Sequence, residues 1–298
     1  MAPFQTTVHP FESDTPHSCA YESGLESARN ALVFIGGLGD GPHTIDAARS
    51  VSKALADASD LSYSLFEIRM QSSFDSFGNS SLKEDVANIS AFVKYLRQIG
   101  RQKIVLLGHS TGCQDIMMYN KMSTETPPVD GFILQGPVSD REALLHVVIE
   151  PCGLRNYRKA LEYARDKAAK DELLDWMPRS MIPAPLRSTP FTVYRFLSLA
   201  DKGGDDDFFS SDLSTETVST IWSSLTKPTL VLHSDKDEYV PEFVEKGTLI
   251  SRWKAAGPLI SPLSGVIPGA NHTVAESVAQ TWFCNRIVEF LQSLKASS

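Results

Sequence analysis

The chain has 298 residues, 42% of them hydrophobic and 21% charged, and a formal net charge of −8. That composition suits one large domain, with or without an insertion, around a sizeable core. The acidic balance argues against nucleic acid as a general partner, and no apolar run is long enough to cross a bilayer, so no membrane partner is expected.

The N-terminus, Met1-Ala2-Pro3-Phe4-Gln5-Thr6-Thr7, has neither a basic region nor an apolar core, so no secretory signal is expected. The C-terminus, Lys295-Ala296-Ser297-Ser298, matches no targeting address. The cysteines, Cys19, Cys113, Cys152 and Cys284, are scattered. Without a C-x-x-C pair they predict reduced thiols in a cytoplasmic protein.

In chain order, two short β-like pieces come first, Thr6-Thr7-Val8 and Cys19-Ala20-Tyr21, broken by Pro10 and Pro16. They predict an edge hairpin. Asn30 to Ile35 is an apolar strand running into Gly36-Gly37-Leu38-Gly39-Asp40-Gly41-Pro42. A helix is predicted from about Thr44 to Ala58, and a strand over Tyr63 to Ile68. After a polar loop, Ser81 with Glu84 three residues on is a capping box. It opens a helix to about Ile99, with Val86, Ile89, Val93 and Leu96 on one face.

The run Lys103-Ile104-Val105-Leu106-Leu107 then ends in Gly108-His109-Ser110-Thr111-Gly112, with a helical segment from Cys113 to Met122 behind it. Strand, G-x-S-x-G and helix in succession make a nucleophile elbow. The sharp turn leaves no room for bulk two residues to either side of the serine, and glycine stands at both positions. Gly131 to Gln135 is another short buried strand.

From Ser139 to about Ser224 the alternation stops. Helical patterns run over Arg141 to Val148 and Tyr157 to Trp176; a proline-broken piece and a polar loop, Asp201 to Asp212, follow. Strands resume at Thr229 to His233 and around Gly265 to Ile267, with helices near Glu242 to Ala256 and Glu276 to Leu294. This order predicts an α/β fold with a mostly parallel sheet covered on both faces. Residues 1–138 and 225–298 form its core, and residues 139–224 a helical lid insertion.

A serine hydroxyl is a poor nucleophile at neutral pH and needs a base oriented by an acid. In this kind of sheet the chain order is Ser, then Asp or Glu, then His. Ser110 is first. Asp235, Asp237 and Glu238 all follow the strand that ends near His233. The stretch Ser234 to Pro241 looks like the G-x-x-D-x-x-V-P turn of such enzymes, which selects Asp237. His272 is the histidine between the last short strand and the last helix. The oxyanion needs two backbone N–H donors, assigned to Thr111 and to Leu38 in the glycine-rich loop. A dinucleotide loop is excluded there, because Pro42 stands where a third glycine would be required. No Walker loop, H-E-x-x-H or clustered metal ligands occur, so neither cofactor nor metal is expected.

With these motifs the chain resembles a family of eukaryotic, largely fungal α/β-hydrolases that includes the intracellular siderophore esterases. The resemblance rests on Gly36-Gly37-Leu38-Gly39-Asp40-Gly41, on Gln71-Ser72-Ser73 with Ser81-Leu82 and Asp85, and on the elbow. It extends through Gln135-Gly136-Pro137-Val138-Ser139-Asp140-Arg141-Glu142, Gly204 to Leu213, and Asp237-Glu238-Tyr239-Val240-Pro241. It implies an α/β-hydrolase fold and a carboxylic ester hydrolase of the 3.1.1 type. The substrate it implies is a fusarinine-type hydroxamate siderophore, cleaved to release iron inside the cell. It also carries a Ser-Asp-His triad onto Ser110, Asp237 and His272. In the lid, Asp205, Asp206 and Asp207 with Phe208 are expected to receive a cationic, partly apolar substrate of this class. Competing expectations are an esterase or thioesterase for simple acyl esters, and a non-catalytic binding protein on the same fold.

Overall fold

At one edge of the sheet, β1 (Thr7–Pro10) and β2 (Cys19–Gly24) pair antiparallel, forming the predicted hairpin. In this computed structural model, residues 3–149 and 153–296 are described. Met1-Ala2, Cys152 and Ser297-Ser298 lie outside the described residues. β3 (Asn30–Ile35) and β4 (Tyr63–Ile68) follow, and β2 runs antiparallel beside β4. From there every pairing is parallel. β4 lies beside β3, then come β5 (Ile104–His109), β6 (Gly131–Gln135), β7 (Thr229–Ser234) and β8 (Gly265–Ile267).

The central strands read as unbroken apolar runs because both faces are covered. Successive side chains leave on opposite sides. Val33, Ile35 and Leu106 face one core, with Val86, Ile89 and Phe92 of α2 (Leu82–Gln98) and Ile116 of α3 (Thr111–Lys121). Leu32, Phe34 and Leu107 face the other, with Val51 and Leu55 of α1 (Asp46–Asp57) and Phe283, Ile287 and Phe290 further along the chain. Ser81 caps α2 as its capping box predicts, accepting the Glu84 N–H at 3.2 Å.

Among the described residues, 139–224 add no strand to the sheet. They hold α4 (Asp140–Ala143) running into a π-helical turn at Leu144–Val148, then α5 (Leu154–Ala168), α6 (Val193–Ala200) and α7 (Thr215–Ser223). Tyr157, Phe191, Phe196 and Leu199 gather there in a third apolar cluster, which Phe77 of the core joins. The helix predicted to reach Trp176 stops at Ala168. Asp171 turns the chain at φ 61°, and Trp176 bridges to Thr192, with Met177 N–H on Phe191 O at 2.8 Å. Tertiary pairing overrides a helix-compatible sequence there. The last two helices are α8 (Lys246–Ala256) and α9 (Ser277–Ala296). The first of them starts four residues later than predicted, because the Pro241 carbonyl accepts the Val244 N–H in a turn (2.9 Å). Among the described residues, no helix is long and apolar enough to cross a membrane.

Candidate active site

Ser110 joins β5 to α3 with φ 53° and ψ −124°, a conformation non-glycine residues rarely adopt. Its N–H donates to Gln135 O at 3.0 Å, and its carbonyl accepts Cys113 N–H at 2.8 Å. The flanking glycines are a steric requirement. A Cβ at Gly108 would lie 2.3 Å from Gly112 O, and one at Gly112 would lie 2.3 Å from Ile35 O.

Asp237 and His272 meet from separate loops at the same end of the sheet. His272 Nδ1 and Asp237 Oδ2 are 2.8 Å apart, and both residues are 4% exposed. Asp237 Oδ1 also accepts the Tyr239 N–H at 3.1 Å. Burial by itself raises the Asp237 carboxyl. The hydrogen bond and charge of His272, with the Tyr239 N–H, outweigh that and hold it below its ordinary value. The other two acids behind β7 make backbone contacts instead. Glu238 accepts the His272 N–H at 2.8 Å, and Asp235 accepts the Gly269 N–H at 3.2 Å.

The glycine-rich loop lies directly against the serine. A Cβ at Gly37 would stand 2.6 Å from Ser110 Cβ. Asp40 folds this loop back on itself: its carboxylate accepts Gly37 N–H at 2.9 Å and the Thr44 hydroxyl at 3.0 Å. Among the described residues, neither Leu38 N–H nor Thr111 N–H donates a hydrogen bond, so both remain available to an oxyanion. No hydrogen bond joins Ser110 Oγ to His272 among the described residues. Such contacts often tighten only when substrate is bound.

A cavity of about 280 Å³ opens on Ser110, His109 and His272. Leu38, Leu144, Val148, Leu186 and Leu199 give it an apolar wall, mostly from residues 139–224. Its carboxyl groups are Asp40, Asp140 and Glu238, and no Lys or Arg lines it among the described residues.

The acidic run Asp205-Asp206-Asp207 and Phe208 do not reach this cavity. This corrects the expectation that they receive substrate. Asp206 is 2% exposed and pairs with the buried Arg195, Oδ2 to Nη1 at 2.7 Å. Asp207 faces Arg141 Nε at 3.4 Å and takes the Gly203 N–H at 2.9 Å. Asp205 accepts the Tyr194 hydroxyl at 2.6 Å, and Phe208 is buried in the core. A three-acid run reads locally as a solvated charge patch. Here cations supplied from α6 and α4 turn it inward.

Sequence reasoning also missed Asp140. Its Oδ2 accepts Gln114 Nε2 at 2.6 Å, and burial followed by the nearby Asp206 pushes its carboxyl up to about 8. Asp85, Asp115, Asp140 and Asp206 all act electrostatically on the single guanidinium of Arg195, and burial pushes the carboxyls of Asp85, Asp115 and Asp140 up. Asp40, Gln135 and Asp140 all fall within the stretches quoted above for the family resemblance, but nothing in their local pattern marks them as parts of a site.

A family described as "Protein of unknown function (DUF1749)" matches residues 1–292. The fusarinine C esterase sidJ of Aspergillus fumigatus is 32% identical over 89% of this chain and 89% of its own. Esterase AN6793 of Emericella nidulans is 31% identical over 82% of this chain and 80% of its own. The solved structure of the siderophore hydrolase EstB from Aspergillus fumigatus superposes with a TM-score of 0.79. It is 30% identical, and 98% of each chain is covered. The chain therefore belongs to the DUF1749 family, a family of α/β-hydrolases whose fungal members include proteins named as siderophore esterases.

Proposed function

We propose that this protein is a serine esterase that cleaves the ester bonds of hydroxamate siderophores through Ser110, His272 and Asp237. One observation carries the chemistry. A serine held at positive φ shares a cavity with a histidine bonded to a buried carboxylate, beside two uncommitted backbone N–H groups. The substrate class is supported by the relatives named as a fusarinine C esterase and a siderophore hydrolase.

In this reading Ser110 Oγ attacks the ester carbonyl while His272 Nε2 takes its proton. Asp237 holds the Nδ1–H tautomer and stabilises the imidazolium that forms. The Leu38 and Thr111 N–H groups receive the tetrahedral oxyanion. Collapse returns the proton from His272 to the leaving alcohol, and water then cleaves the acyl-enzyme by the same route. Residues 139–224 act as a lid, supplying the apolar wall that dries the site. The lining carries carboxyl groups and, among the described residues, no Lys or Arg, which suits a neutral or cationic ester better than an anionic one. The substrate includes the iron-loaded siderophore, and the expected place of action is the cytoplasm.

The apolar wall of Leu144, Val148, Leu186 and Leu199 also fits a simple acyl ester. A substrate panel separates the two readings. Purified protein is given fusarinine-type esters and short and medium acyl esters, with Ser110→Ala as control. Higher kcat/KM on the siderophore esters, lost in Ser110→Ala, supports the proposal. Preference for acyl esters replaces the substrate class, and turnover by Ser110→Ala removes the mechanism.

A further inference from the structure

His109 is the variable letter of the elbow, and Gln135 is the last residue of β6; both are buried. Gln135 is bonded on several sides around the site. Its backbone carbonyl takes the Ser110 N–H at 3.0 Å. Its side-chain Nε2 donates to the backbone carbonyl of His272 at 3.0 Å and lies 3.3 Å from Ser234 Oγ. Its Oε1 meets His109 Nδ1 at 2.5 Å. The next residue, Gly136, sits so close that a Cβ there would lie 3.2 Å from His272 Cε1.

These contacts determine the proton positions. A backbone carbonyl only accepts, so the Gln135 amide must present Nε2 to His272 O and Oε1 to His109. Oε1 also only accepts, so His109 carries its proton on Nδ1. In the neutral ring Nε2 is then bare, and it stands 3.9 Å from Asp40 Oδ2, beyond hydrogen-bond reach. Burial, and then the neighbouring His272, push His109 down to about 4. The two imidazoles lie 4.8 Å apart, centroid to centroid. A neutral His109 does not oppose the imidazolium that forms on His272 during turnover.

We propose that the Gln135 side-chain amide, oriented by the His109 ring, is the positioning element that sets His272 relative to Ser110. The proposal rests on the Ser110–His272 reading above. β6 holds the serine by its backbone and the histidine loop by its side chain, so a single residue spans nucleophile and base. Deleting the amide frees the His272 loop by a fraction of an ångström, and misplacement of about 1 Å costs on the order of a hundredfold in rate.

The test compares four variants of the full chain on a small chromogenic ester, with kcat, KM and thermal unfolding measured for each. Gln135→Leu and His109→Leu should each lower kcat by roughly ten- to a hundredfold while KM stays within about threefold. The double variant should be no slower than the worse single, because the two act as one unit. His109→Asn should recover most of the lost kcat, since its Nδ2–H can take the place of Nδ1–H and donate to Oε1. Additive losses, a fall expressed only in KM, or His109→Asn as slow as His109→Leu would overturn the proposal. If Gln135→Leu does not fold, Gln135→Met and the His109 contrast decide the matter. Ser110→Ala runs in parallel. Activity in that variant removes the underlying serine reading, and this proposal with it. An inactive Ser110→Ala beside a fully active Gln135→Leu removes only the bridge.

Discussion

Asp237 Oδ2 lies 2.8 Å from His272 Nδ1, while the carboxylate of Asp235, two residues earlier, accepts the Gly269 N–H at the surface. Asp237→Asn should therefore cut kcat by about 10⁴ by favouring the wrong imidazole tautomer. Asp235→Asn should leave kcat within about twofold, as expected of a surface position. Steady-state kinetics on one ester checks both, and the opposite ranking would transfer the orienting role to Asp235.

Ser110 should be the residue acylated by a fluorophosphonate probe. Ser110→Ala should lose on the order of a thousandfold or more in kcat. Mass spectrometry of the labelled protein reads the site, and a modified serine elsewhere would refute the elbow assignment.

Gly37 offers a steric test. A Cβ there would sit 2.6 Å from Ser110 Cβ, so Gly37→Ala must displace either the serine or the loop bearing Leu38. The expected loss is about a hundredfold in kcat with the chain still folded. Unchanged kcat would mean that the loop takes no part in holding the oxyanion.

Arg195 links residues 139–224 to the loop before α2, donating from Nε to Phe77 O at 3.0 Å, and Asp206 holds its guanidinium in place. Both partners are buried, so Asp206→Ala breaks a buried ion pair and removes the carboxylate that contacts the guanidinium. It should cost about 3–5 kcal/mol in denaturant unfolding. A loss below about 1 kcal/mol would show that the pair does not anchor the segment.

Asp140 makes a pH prediction of definite sign. Its folded-state value, about 8, lies above the unfolded one. Between about pH 4 and 8 the unfolded chain releases this proton while the folded chain keeps it. Stability therefore falls as pH rises through that window. Asp140→Asn should flatten the fall, read as melting temperature against pH. Asp237 contributes the opposite sign. Its depressed value adds stability above the unfolded carboxylate pKa, and that stability is lost as pH drops through the folded one. A steeper decline in Asp140→Asn would contradict the assignment.

Local rules carried far along this chain. β3, β4 and β6 occupy the residues their apolar runs predict, because a parallel strand buried on both faces must be apolar throughout and is bounded by turn residues. The elbow is readable for a related reason: Gly108 and Gly112 answer clashes inside one strand–turn–helix unit and its neighbouring strand. Separation along the chain hid the rest. The turn pattern from Ser234 to Pro241 selects Asp237 over Asp235 and Glu238, but the bond to His272, 35 residues further on, exists only in the folded chain. The acids at 205–207 resemble a solvated patch until Arg195 and Arg141 arrive from other helices. Gln135 is an ordinary strand end until its amide meets His109 on one side and His272 on the other. Burial and hydrogen-bond partnership are properties of the assembled chain. A residue whose work depends on them carries no local mark, whereas one whose work is steric does.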